Sequence, residues 1–174
     1  MKSLLRVTLA ATLVAGVALV LPNQHILADS QPSVSLNVEN AGPRHVEDTT
    51  QRSVARDYAA AWTAMTQALD QNRTDVLGAN FTGTANDKLT ASVTEQRRSG
   101  LHQRILDRGH SVQAVFYSPE GSAMELHDTA QVQLQLMDGS KVVRTEDATL
   151  HYVVLLTAAE NSWKVRVLEA VPSF

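Results

Sequence analysis

The residues able to move a proton are few and spread along the chain. His127 stands beside Asp128 and His151 beside Tyr152, four side chains of the types used in general acid–base chemistry. Both pairs lie in stretches that alternate like strands. Neighbours on a strand point to opposite faces, so neither pair can converge on one substrate atom. His127 and Asp128 are therefore expected at the surface, near a strand end. Metal binding is poorly supported, because His102, His110, His127 and His151 offer no two histidines at i, i+2 or i, i+4. The chain has no cysteine, which removes thiolate catalysis, disulfides, Cys-ligated metals and a lipidated cysteine anchor. A Gly-x-Ser-x-Gly elbow and a phosphate-cradling glycine loop are also missing. No cofactor is implied.

One concentration of charge stands out. Arg97, Arg98, Arg104 and Arg108 gather with His102 and His110 in a chain whose formal net charge is −3. The plain reading is a solvated helix end whose arginines offset the C-terminal dipole. The functional reading is a docking patch for an anionic partner: a phospholipid headgroup, a cell-wall polymer or an acidic protein.

The elements that must position these groups can be read from periodicity. Val54, Tyr58, Ala61, Trp62, Met65 and Leu69 form one stripe of a helix that ends near Asn72. Asp48, with Gln51 three residues on, resembles its N-cap pair. Thr74 is expected to cap a short second helix carrying Val76 and Leu77, with Phe81 returning to the core. Thr84, with Asp87 three residues on, is expected to cap a third helix, which Gly100 closes. Leu101 to Arg108 fits either a helical tail or the approach to a strand.

The period then changes to two. Val112, Ala114 and Phe116 share one face, and Ala130, Val132, Leu134 and Leu136 alternate with Gln131, Gln133 and Gln135. Leu150 to Thr157 is apolar on both faces and should be central. Trp163, Val165 and Val167 make the last strand, with Lys164 and Arg166 opposite. Three helices followed by about four long antiparallel strands is an α+β plan with the helices on one sheet face.

The N-terminus has another purpose. Lys2 and Arg6 precede an uncharged run from Val7 to Leu21, and Pro22 ends it. This resembles a signal peptide with a mediocre cleavage site after Ala28. It is short for a spanning helix. A cleaved signal is favoured over an anchor through residues 4–21, and either places the domain outside the cytoplasm. The expected division is residues 1–28 as signal peptide or membrane anchor, 29–48 as flexible linker and 49–174 as folded domain. A brief Val34-Leu36-Val38 alternation in the linker could add an edge strand. Losing residues 1–28 removes Lys2, Arg6 and no acid, leaving 13 basic against 18 acidic side chains, a charge of −5. Such a surface argues against nucleic acid as a partner.

This order of elements resembles the NTF2-like (SnoaL-like) superfamily. The resemblance rests on the Tyr58/Trp62 helix, the Phe81-Thr82-Gly83 step, the strand opening at Asp128-Thr129-Ala130, and the closing Asn161-Ser162-Trp163-Lys164-Val165. It runs from about Thr49 to Pro172 and is nearest in character to extracytoplasmic, non-catalytic members. It implies helices packed into a curved, cone-like antiparallel sheet. Tyr58, Trp62, Phe81 and Tyr152 would then line any pocket at the open end of the cone, although each also reads as core. Glu125, His127, Asp128 and His151 are the other ionisable groups the strands could bring there.

Without a convergent polar set, the expectation is a non-enzymatic extracytoplasmic binding or assembly domain. Its partner would be a protein, a cell-envelope component or a small apolar ligand. The alternative is a small-pocket isomerase, dehydratase or cyclase of the SnoaL type, using Tyr58 with a strand carboxylate or histidine. A pocket of about 300 Å³ with two facing ionisable groups would favour the enzyme, and a cone plugged by Trp62, Phe81 and Tyr152 would not. The glutamine-rich outer face predicts a monomer, or a dimer weaker than about micromolar.

Overall fold

Residues 32–174 are described by the structure, a computed structural model. Residues 1–28, expected to be a signal peptide or membrane anchor, lie outside the described residues. In chain order the elements are β1 (Val34–Asn37), α1 (Asp48–Gln71), α2 (Gly83–Ser99), β2 (Leu101–Tyr117), β3 (Ala123–Asp138), β4 (Lys141–Ala158) and β5 (Trp163–Val171). The five strands form one sheet in sequential order, antiparallel from β2 to β5, with β1 parallel to β2 at the edge. Among the described residues no helix is long and apolar enough to cross a membrane.

The stripe on α1 decides the architecture. Val54, Tyr58, Ala61, Trp62, Met65 and Leu69 are all buried, so one face of a 24-residue helix lies against the sheet. The helix ends at Asn72, whose left-handed conformation (φ 53°) lets its N–H reach the carbonyl of Ala68. Opposite the helix, Val112, Ala114, Leu126, Ala130, Val132, Val154, Leu156 and Val165 supply the sheet side of the core.

Two helices form where three were expected. Residues 75–80 run as successive turns, with Leu77 N–H bonded to Thr74 O and Phe81 N–H to Leu77 O. So short a segment, interrupted by Gly78, cannot repay the cost of helix nucleation. Burial of Leu77 and Phe81 holds it instead. The expected caps also differ. Asp48 and Thr84 lie inside their helices, and neither true N-cap, Glu47 or Thr82, makes a side-chain cap bond. Gln51 donates to the carbonyl of Leu36 and Thr84 to that of Arg166, so both side chains join a helix to the sheet. Gly100 does close α2, at φ 73°.

The stretch expected to be a flexible linker is part of the packed structure from residue 32 onward. The Val34-Leu36 alternation forms β1, and Leu36 and Val46 are buried. The segment from Leu101 to Arg108 resolves as strand, the first half of β2.

Strict alternation fails at β-bulges, where one extra residue reverses the faces beyond it. In β2 the register shifts between Ala114 and Phe116, so Tyr117 is buried and Phe116, expected inside, is exposed. In β5 a shift opposite Leu155 and Leu156 leaves Arg166 unpaired. Beyond it Leu168 faces the core, and Val167, expected there, pairs with Leu155 on the outer side. A third shift, between Asp107 and Gly109, shapes the candidate site.

The β3–β4 hairpin runs past the end of its neighbour. Strand β5 reaches only as far as His151, opposite Val171. From Lys141 to Leu150, β4 therefore has a strand on one side and, among the described residues, none on the other; Lys141 to Asp147 are all exposed.

Candidate functional site

The hollow of the sheet holds a polar knot assembled from three elements. Asp128 on β3 is fully buried, in an inward row with Val112 of β2 and Tyr152 of β4. The surface position expected for it is thus corrected. Outward and inward residues alternate as argued, but Asp128 takes the inward side while His127 takes the outer one. The Tyr58 hydroxyl, reaching down from α1, donates to Asp128 Oδ2 at 2.7 Å. His110 Nδ1 lies 2.8 Å from the same oxygen, and its Nε2 lies 3.0 Å from Asp107 Oδ2. Asp128 Oδ1 is buried without a partner among the described residues.

The bulge makes this cluster. Residues 107 and 110 would sit on opposite faces of a regular strand. With Arg108 inserted, Asp107 pairs with Val132 and His110 with Ala130, both inward positions. Gly109 takes φ +135°, a conformation that L side chains rarely adopt, and its N–H bonds to Asp107 Oδ1 at 2.6 Å. Rings close the knot: Trp62 lies 4.3 Å from His110, and Tyr152 packs edge-on against Trp62 at 5.7 Å.

Electrostatics follow from these contacts. Burial is the largest single influence on His110 and opposes its charge. Hydrogen bonds to Asp107 and Asp128, with their Coulombic attraction, together outweigh it and raise the pKa from 6.5 to about 9. The imidazolium then donates from both nitrogens and has no lone pair to act as a base. The Tyr58 pKa is raised well above its usual value, first by burial and then by Asp128, which makes the phenol a weak acid. Tyr152 is shifted the same way by burial and by Asp128. Asp128 Oδ1 apart, the polar atoms of Tyr58, His110 and Asp128 are committed to other members of the cluster.

Beside Tyr58, Trp62 and Phe81 the gap between α1 and the sheet is nowhere wide enough for the centre of a water molecule. Ala61, Met65, Val165 and Leu168 complete its apolar wall. Of the four residues expected to line a pocket, Tyr58, Trp62 and Phe81 border this gap and are buried, while Tyr152 packs against Trp62 and is half-buried. The cone is filled.

The other candidates are dispersed. Glu125, His127 and His151 are half-buried, with His127 3.6 Å from Glu125. Arg97 donates to the Asn72 carbonyl, Arg98 pairs with Glu95, Arg104 with Asp70 and Arg108 with Asp147, so three of the four are matched to a carboxylate. Sequence reasoning missed Asp107 and His110 as site residues, and also Asp57. The buried Asp57 accepts the Trp163 N–H at 2.8 Å and fixes the start of β5 to α1. A glycine within a strand, in Asp107-Arg108-Gly109-His110, was the available signal for the bulge.

The architecture, two helices packed against one face of a five-stranded and mainly antiparallel sheet, is consistent with the α+β fold that the resemblance to NTF2-like (SnoaL-like) proteins implies. The chain is similar to the intermembrane space region of the chloroplast protein ARC6, with a TM-score of 0.63 at 18% identity, over 75% of this chain and 100% of that one. It is also similar to Aln2 from a Streptomyces species, with a TM-score of 0.47 at 15% identity over 73% and 94% of the two chains. ActVI-ORFA from Streptomyces coelicolor gives 0.46 at 13% identity over 66% and 94%. No protein-family model and no curated protein matches the sequence.

Proposed function

We propose that this is a non-enzymatic binding or assembly domain, exported through its N-terminal segment, that acts through its outer surfaces. The observation that supports this reading is the filled cone. Among the described residues, Tyr58, His110 and Asp128 are buried and bonded to one another, Trp62 packs over His110, and the gap beside them leaves no room for a substrate. The polar knot is then structural: it ties α1, β2 and β3 at one point, and its two bonds to Asp128 are buried.

One observation favours the alternative, an isomerase, dehydratase or cyclase. Tyr58, a strand carboxylate and a histidine do meet, and Asp128 Oδ1 is left without a partner among the described residues. The two readings part in one experiment. The full chain is incubated with a panel of small cyclic ketones in heavy water, and exchange of the α-protons is followed by NMR. Exchange at the buffer rate is expected. Accelerated exchange that Asp128→Asn abolishes would establish the enzyme. Export is tested by fusing alkaline phosphatase to the C-terminus, which should yield active phosphatase only if the domain crosses the membrane.

A further inference from the structure

We infer that the outer face of the sheet carries a binding groove for a neutral saccharide, built where β1, β2 and β3 lie side by side beneath Phe174. The inference deepens the proposal of a binding domain and rests on it only in placing the ligand outside the cone. Register creates the site. Ser35, Ser111 and Thr129 are partners across the three strands and form a row of hydroxyls. The next outward row is Asn37, Gln113 and His127, two amides and an imidazole. Together they border a groove of about 460 Å³, a volume that holds about two pyranose rings.

The chemistry of this wall is selective. Six neighbouring side chains can each donate or accept a hydrogen bond and none is a carboxylate, ammonium or guanidinium. An anionic ligand would find no lysine or arginine among them. A wholly apolar ligand would strip water from hydroxyls and amides without replacing its bonds. A polyol offers donor and acceptor at every hydroxyl and satisfies such a surface.

Phe174 supplies the remaining feature. Its ring stacks on His127, with centroids 4.3 Å apart and planes 5° from parallel, and meets the edge of His151 at 5.2 Å. The ring is thus held against His127, yet Phe174 is 54% exposed and remains accessible to a ligand in the groove. An aromatic face beside hydrogen-bonding amides suits a sugar ring, which has an axial C–H face and an equatorial rim of hydroxyls. The acid that borders His127, Glu125 at 3.6 Å, lies outside the lining.

Saturation-transfer NMR on the full chain tests this with two neutral probes, maltotriose and triacetylchitotriose. At least one should receive saturation at its ring protons. Binding should weaken about fivefold in Phe174→Ala, persist in Phe174→Trp, and weaken in Gln113→Ala. Both substitutions to alanine fall on the outer face, so circular dichroism should be unchanged. No transfer to either sugar at millimolar concentration, or equal transfer in wild type and Phe174→Ala, would overturn the inference. Ketone exchange at the cone is measured independently, so turnover there would sink the non-enzymatic reading while leaving this result standing.

Discussion

Titrating His110 should unlock the domain in mildly alkaline solution. Its folded pKa of about 9, against 6.5 for the free side chain, is worth about 3 kcal/mol. The folded state holds the proton more tightly than the unfolded state. The contribution is therefore complete below about pH 6.5, erodes as the pH rises, and is gone above about pH 9. The ionisable groups facing the ring are Asp107 on its own strand, Asp128 on β3 and Tyr58 on α1, with Tyr152 beyond Trp62. The raised phenols act in the same direction, but only above about pH 10, so measurements below pH 9.5 isolate the histidine. Urea unfolding followed by tryptophan fluorescence should lose about 3 kcal/mol between pH 6 and pH 9.5, a large share of a small domain's stability. His110→Gln should be less stable at pH 6 and nearly flat across the same window. A flat wild-type profile, or an equal slope in His110→Gln, would refute the charge assignment.

Four further outcomes are expected. Trp62→Ala removes the largest buried side chain, in contact with His110 and Tyr152, and should cost about 3–5 kcal/mol by chemical denaturation. Gly109→Ala has space, its added Cβ coming only as near as 3.8 Å to the Ser33 carbonyl, but it strains a backbone at φ +135°. It should cost about 1–3 kcal/mol and make the pH profile shallower as Asp107 and His110 separate. Asp57→Ala leaves the buried Trp163 N–H without its acceptor and should lower stability by about 1–3 kcal/mol, read as a shift in urea midpoint. Light scattering of the segment from Asp29 to Phe174 at low micromolar concentration should return the monomer mass.

What the sequence disclosed followed from regular periods. The α1 stripe was legible because six apolar residues recur at helical spacing, and each is buried. The alternation of Ala130 and Val132 against Gln131 and Gln133 likewise placed the middle of β3 correctly, whereas Leu136, expected in the same inward row, is 37% exposed where the hairpin runs past β5. The polar knot was hidden because it depends on a broken period. Asp107 and His110 share a face only through an inserted residue, and no rule of strict alternation brings them together. Asp128 was misplaced for a related reason. Carboxylates are rarely buried without partners, and its partners, Tyr58 and His110, lie 70 and 18 residues away in the chain. The arginine cluster shows a different limit of sequence reading. Spacing along the chain suggested a patch, and it could not disclose that folding brings Asp70 and Asp147 to Arg104 and Arg108.

The unaccompanied length of β4 has a consequence for the protein's behaviour in concentrated solution. Among the described residues nothing pairs with its outer edge from Lys141 to Leu150, which offers backbone donors and acceptors to any extended chain that arrives in register. Val142 and Val143, 44% and 55% exposed, would make such an encounter adhesive. Lys141, Arg144, Glu146 and Asp147 surround them with charge of both signs, so a strand docking here must bury or displace several hydrated ions. The lip of the hairpin is thus kept soluble by four side chains that support nothing in the fold's interior. Neutralising them would leave the melting curve almost untouched while opening a route to fibrils, a failure that a stability assay alone would not register.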